Sequence, residues 1–199
     1  ELASLQSDYG VQFRLNGKIG YVKTGIGKPS FGLKLDDHTV FTRGGNIRLI
    51  HGNHREGMPF VPALKNAPFL ELGHYKGNTH YSFGMIKGYL YEKSESSYGR
   101  LEHFFSNGSL NKMIGASFFR ETTAAKDLQM VNLFGGLNRG NLSWMGEVTV
   151  AENLVSNRSI ASYSELTWNV KKGYTILARI DFFDESMIYT EDAIRRTTF

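Results

Sequence analysis

The stretch IASYSELTWNVKKGYTILARIDFFD, residues 160–184, decides how this chain is read. A β-strand sends successive side chains to opposite faces, so the runs on either side of Lys171-Lys172-Gly173 each divide into two sets. After that connection, Tyr174, Ile176, Ala178, Ile180 and Phe182 share one face, against Thr175, Leu177, Arg179 and Asp181. Before it, Ile160, Ser162, Ser164, Leu166, Trp168 and Val170 stand against Ala161, Tyr163, Glu165, Thr167 and Asn169. Two alternating runs joined by a short turn predict a tight hairpin. A soluble core has no place for Arg179 and Asp181 on the second face, whereas a wall between lipid and water needs opposite chemistry on its two sides.

The same alternation extends upstream. Leu142, Trp144, Gly146, Val148 and Val150 alternate with Ser143, Met145, Glu147, Thr149 and Ala151, after a turn at Asn138-Arg139-Gly140-Asn141. Tyr81, Phe83, Met85, Tyr89 and Tyr91 share a face opposite His80, Ser82, Gly84 and Gly88, with Lys87 on the aromatic face and Ile86 and Leu90 on the small polar one. Lys76-Gly77-Asn78 turns that run back onto Ala67 to Tyr75. Further strands are expected at Tyr9 to Leu15, Ile19 to Gly25, Thr39 to Arg43, Asn46 to His51, Tyr98 to Phe105 and Asn111 to Arg120. Short turns at Lys76, Asn107, Asn138 and Lys171 alternate with longer polar connections at Gly52 to Asn66, Glu92 to Ser97, Glu121 to Lys126 and Glu152 to Ser159. Short turns on one side and long loops on the other are the asymmetry of outer-membrane barrels.

Composition agrees with one ordered all-β domain over residues 1–199: 41% hydrophobic, 13% aromatic, 22 Gly and only 4 Pro. With no Cys, neither a disulfide nor a thiolate metal site can exist. The net charge of +4 is dispersed among aromatics and acids, which reads as solvated surface and excludes nucleic acid as the expected partner. Glu1-Leu2-Ala3-Ser4 shows no signal-peptide pattern, so an exported protein is expected here in mature form. No run approaches the roughly 18 apolar residues of a membrane helix, which leaves a barrel as the way to span a bilayer.

These alternating strands, with Trp and Tyr near turns, resemble Gram-negative outer-membrane porin-type barrels. Gly25-Ile26-Gly27-Lys28-Pro29-Ser30-Phe31-Gly32-Leu33 is similar to porin stretches in which a Gly-x-x-x-Pro-x-x-Gly pattern precedes a loop. The resemblance implies an antiparallel transmembrane β-barrel of about ten to twelve strands in the bacterial outer membrane, with the lipid bilayer as partner and no catalytic residues to carry over. Such barrels close on an apolar-alternating strand with a terminal aromatic. Phe199 is terminal, but Ala193, Arg195 and Thr197 break the pattern, so the chain is expected to be truncated with closing strands outside it.

Within this frame Trp144, Trp168, Tyr174, Ile176, Ile180 and Phe182 are expected to face lipid or form an aromatic girdle. Glu147, Glu165, Arg179 and Asp181 are expected on the lumen wall, where they would set ion preference or fill the barrel with salt bridges. Asp36-Asp37-His38-Thr39 reads as a turn and strand-cap cluster, and His51 and His54 lie in a turn-rich loop; neither predicts a metal site. The three Asn-x-Ser matches at Asn107, Asn141 and Asn157 read as chance, and no Gly-rich segment suits a phosphate loop. The expectation is therefore a porin-like channel or membrane scaffold for small polar solutes, with no enzymatic activity and no cofactor. One alternative is a barrel that docks a partner protein or subunit of an envelope complex, hinted at by Leu177, Val131, Leu133, Ile86 and Leu90 if these face inward. The other is a soluble β-sandwich that binds a ligand.

Overall fold

The computed structural model of the protein describes residues 9–15, 20–33, 66–88, 94–125, 127–153, 158–184 and 195–198. Among them run β1 (Tyr9–Arg14), β2 (Gly20–Gly27), β3 (Ala67–Lys76), β4 (Thr79–Lys87), β5 (Glu95–Asn107), β6 (Leu110–Thr122), β7 (Asp127–Arg139), β8 (Leu142–Glu152), β9 (Arg158–Lys171), β10 (Tyr174–Asp184) and β11 (Arg195–Thr198). Each strand pairs antiparallel with the next in sequence, giving one eleven-stranded open meander and no helix among the described residues. The two strands expected at Thr39 to Arg43 and Asn46 to His51 lie outside the described residues.

The turns follow the sequence closely. Gly77, Gly108 and Gly140 each take the first place of a two-residue connection with φ of 58°, a region that a residue with a Cβ resists. Gly173 takes the second place with φ of 84°, and the register shifts at Tyr174/Thr175, as a bulge next to a tight turn requires. All four tight turns lie at one end of the sheet. At the other end the strands extend further than polarity suggested: β5 begins at Glu95 and β6 runs to Thr122. The reason is that Ser96 and Glu121 are direct cross-strand partners, both buried, so their polarity marks the interior rather than a loop.

Burial alternates residue by residue and defines two faces. On the inner face of the central strands lie Glu71, His80, Ser82, Tyr98, Arg100, Ser117, Phe119, Met130, Asn132, Phe134, Glu147, Thr149 and Tyr163, all buried. On the outer face Leu70, Leu72, Phe83, Met85, Leu101, Ile114, Phe118, Val148, Leu166, Ile176 and Ile180 are exposed. Val131 and Leu133 correct an expectation: they are 57% and 63% exposed on the outer face, because β7 places Met130, Asn132 and Phe134 inward. Ile86 does face inward and is buried; Leu90 lies outside the described residues.

The sheet is not flat. After β2 the chain turns onto the inner face, where the Ser30 hydroxyl donates to Glu71 on β3 and the Leu33 amide donates to Glu147 on β8, each at 2.7 Å. Five strand spacings separate β3 from β8, roughly 24 Å along a flat sheet at about 4.8 Å each. From Ser30 to Leu33 the backbone reaches about 11 Å at full extension. Side chains stand nearly perpendicular to a sheet, so both carboxylates can be reached only if the wall curls around the segment.

Tight curvature is accommodated by aromatics lying across glycines. Tyr21 faces Gly73, Tyr98 faces Gly84, Phe118 faces Gly99 and Phe134 faces Gly115, each pair in direct cross-strand register. A Cβ at Gly84 would lie 2.3 Å from the Tyr98 ring, whose exposure is 0% and which has nowhere to retreat. Gly84→Ala is therefore expected to destabilise the fold by about 1–3 kcal/mol, the usual cost of overpacking. Denaturant titration of the refolded protein measures this, and an unchanged midpoint would show that the ring gives way freely.

Candidate functional site

The chemistry of the chain is concentrated where the inward segment 30–33 meets the inner wall. Pro29, Ser30, Phe31, Gly32 and Leu33 are all buried. Phe31 joins an apolar cluster with Ala67, Phe69, Ile86, Tyr98, Phe119, Leu128 and Met130 near the loop end, while Leu33 packs with Phe134 and Tyr163. Its backbone is held by wall side chains: the Gly32 amide donates to Ser117 Oγ at 2.8 Å, the Gly32 carbonyl accepts from Arg100, and the Leu33 amide donates to Glu147. A buried loop otherwise strands its polar groups, so these bonds are what make its inward course tolerable.

Beside the segment runs a chain of polar groups on β2 to β5. The Tyr21 hydroxyl donates to Glu71 Oε1 at 2.8 Å and lies 3.0 Å from His80 Nε2. His80 Nδ1 lies 2.9 Å from Glu102 Oε1, and Arg100 binds the other oxygen of Glu102 through Nε at 3.1 Å and a terminal nitrogen at 2.6 Å. Tyr75 stacks on the His80 ring with centroids 4.3 Å apart, and the Arg100 guanidinium lies 4.2 Å from the centre of the Phe134 ring.

Of the lumen candidates, Glu147, Glu165 and Arg179 have their side chains on the inner face of the sheet, in two different cross-strand rows. Glu147, 4% exposed, also accepts from Asn132 Nδ2 at 3.3 Å, so it serves as an anchor for the segment. Glu165 and Arg179 face each other one row closer to the turns; Glu165 accepts from the Tyr163 hydroxyl at 2.7 Å, and the Arg179 guanidinium lies 4.7 Å from the Tyr163 ring centre. Asp181 pairs through its backbone with Tyr163, and its side chain is outside the described set. The girdle candidates Trp144, Trp168, Tyr174, Ile176 and Ile180 are exposed on the outer face, and Phe182 is half-buried on that face. Trp144 Nε1 donates to Ser164 Oγ at 3.0 Å.

Sequence reading missed the Tyr21, Glu71, Arg100 and Glu102 cluster. The signal was present: Glu71 alternates with Leu70 and Leu72, so a charge sat on the face opposite two leucines. Asp36 to Thr39, His51 and His54 lie outside the described residues. Among the described residues no group of three or more His, Asp or Glu could hold a metal ion.

No family model, curated protein or solved structure matches this chain.

Replacing Glu147 by Ala removes the acceptor for two buried donors, the Leu33 amide and the Asn132 amide. A loss of about 1.5–3 kcal/mol is expected, in the range of a hydrogen bond to a charged group. Glu147→Gln, which keeps an acceptor oxygen, should lose less. A Glu147→Ala midpoint equal to the parent's in denaturant titration would show that the anchor contributes nothing.

Proposed function

We propose that this chain forms the wall of a transmembrane β-barrel in a Gram-negative outer membrane, acting as a porin-like channel or membrane scaffold for small polar solutes. The observation that carries the reading is the layering of the outer face. The cross-strand row Ser97, Arg120, Gln129, Glu152 and Arg158 is polar or charged at the loop end. Towards the turns follow the rows Phe118, Val131, Val150 and Ile160, then Leu101, Ala116, Leu133 and Val148, then His103, Ile114, Gly135, Gly146 and Ser164, and finally Phe105, Lys112, Leu137, Trp144 and Leu166, so that the band is mainly apolar with His103 and Lys112 towards its turn side. Val150 to Leu142 on β8 spans about 27 Å along the strand at roughly 3.4 Å per residue. At a barrel tilt of about 40° this gives a height of roughly 20 Å, close to the apolar band of about 25 Å seen in outer-membrane barrels. Trp144, Trp168 and Tyr174 lie at its turn-side margin, where an interfacial girdle belongs.

A soluble sandwich buries one face of each sheet against another, and here the face with the aliphatic rows is the exposed one. Exposed apolar surface of this extent calls for a cover, and lipid is the cover that suits a band running across successive strands. A bilayer tolerates no open edge, so this reading requires β1 and β11 to be paired when the protein is inserted, with each other or with further strands. The docking alternative retains one supporting feature: Leu177, 56% exposed, lies on the inner face of β10. In either membrane reading the inner wall supplies polar groups to the lumen, among them the facing charges Glu165 and Arg179.

Extraction that requires detergent, together with ion conductance in a planar bilayer, is the expected result. Detergent dependence without conductance would favour the docking barrel, and water solubility would leave the sandwich. A single substitution gives an independent check: Leu133→Arg should cost about 2–4 kcal/mol if that residue sits at the bilayer midplane. In a soluble protein the same change at so exposed a site should fall within about 0.5 kcal/mol of neutral. Urea titration of the vesicle-refolded protein separates the two.

A further inference from the structure

We infer that the turn end of the sheet is a cationic collar that binds the phosphate of anionic phospholipids, with its best-formed seat beside Lys112. The positive charge is scattered along the sequence, but the meander gathers it in space. The hairpin ends, residues 74–81, 103–112, 137–143 and 168–175, carry Lys76, Lys112, Arg139, Lys171 and Lys172 and not one Asp or Glu. All five cations are exposed, and among the described residues no ion pair involves any of them. The loop end is built otherwise. There Lys87 stands opposite Glu95 and Glu152 opposite Arg158, while Arg120 donates to Asp127 at 2.8 Å. Charges at that end compensate one another locally, whereas the hairpin ends hold no carboxylate that could do so.

The neighbours of the cations decide which anion fits. Lys112 pairs in register with Phe105 and Leu137, in the row that holds Trp144 and Leu166. Phe105, Asn107, Leu110 and Lys112 line a recess of about 370 Å³, so an ammonium and a side-chain amide stand beside a phenyl ring and a leucine. Arg139 stands across from Leu110 and Leu142, and the Lys171 ammonium lies 4.5 Å from the Tyr174 ring centre. Cations and apolar surface thus share one margin, and the ligand that suits them is anionic and apolar within a single molecule. A phospholipid is such a ligand: its phosphate accepts from ammonium, guanidinium and amide groups, and its acyl chains cover the apolar rows. Nucleic acid offers the phosphate without the apolar part, and calls for a basic stripe on one face or helix rather than cations spread over hairpins from β3 to β10. The inference rests on the membrane reading proposed above, because it needs acyl chains over the band. Each Lys or Arg near an anionic surface strengthens association about fivefold.

Trp144 and Trp168 are the only two tryptophans of the sequence and both are exposed at this margin, so their fluorescence reports the lipid beside it. The protein is refolded into phosphatidylcholine vesicles containing either brominated phosphatidylcholine or brominated phosphatidylglycerol, and the quenching is compared. The binding constant for phosphatidylglycerol relative to phosphatidylcholine is expected to be about fivefold or more at low salt. It should return towards unity at about 1 M salt, where the Debye length is about 3 Å. With Lys76→Gln, Lys112→Gln, Arg139→Gln, Lys171→Gln and Lys172→Gln combined, the preference should be lost while brominated phosphatidylcholine quenches as it does in the parent. Equal quenching by the two lipids in the parent at low salt would overturn the collar and leave the membrane reading standing. Quenching by neither would remove the membrane reading, and the collar with it. A preference that persists in the variant would place anionic lipid on other residues and refute the assignment. Binding of duplex DNA that the variant loses, without any lipid preference in the parent, would give these cations to nucleic acid instead.

Discussion

The attachment of residues 30–33 to the inner wall is the constraint on which the shape of the molecule rests. Glu71 on β3 and Glu147 on β8 take hold of two residues only three positions apart, and the sheet between them has to bend to meet both. Buried carboxylates are costly to desolvate, and these are tolerated because donors converge on them: Tyr21 and Ser30 on Glu71, Leu33 and Asn132 on Glu147. The aromatic and glycine pairs then make the bend sterically possible. Tyr98 can lie flat across β4 only because Gly84 offers no side chain beneath it.

This arrangement inverts the usual division of labour in a folded domain. Among the described residues apolar burial on the inner face falls in two clusters, around Phe31, Phe119 and Met130 and around Leu33, Phe134 and Tyr163, while the long aliphatic rows remain exposed on the other side. Order inside comes instead from directional bonds, which have few satisfactory arrangements and so specify a single register. Among the described residues every strand is paired with its sequence neighbour, and the register shifts only beside the turn at Lys172 and Gly173.

Much of the fold was legible because its code is the simplest in protein structure, a period of two interrupted by Gly-containing turns. The hairpin at Lys171 to Tyr174 and the faces of β8 to β10 follow from residue order alone. Val131 and Leu133 were misplaced because the two glycines at 135 and 136 blur which phase of β7 is inward; the buried neighbours Asn132 and Phe134 resolve it. Ser96 and Glu121 were read as loop for a related reason, since polarity alone cannot tell an interior position of this wall from a solvated one. The course of Ser30 to Leu33 was not legible at all. Its Pro and Gly announce a change of direction, but the decision to turn inward rests on Arg100, Ser117 and Glu147, which lie 68 to 114 residues away in sequence.

The same long-range contacts explain why the inner charges do not act as independent wall decorations. Glu147 shares its oxygens with a backbone amide and an asparagine, and Arg100 divides its donors between Glu102 and the Gly32 carbonyl. A charge so engaged is part of the scaffold, and its removal acts first on the position of the segment. Glu165 and Arg179 sit beyond Leu33 towards the turns and touch Tyr163 rather than the segment. Glu165 and Arg179 therefore belong to the part of the wall built around Tyr163, while Glu71, Arg100 and Glu147 belong to the hold on residues 30–33.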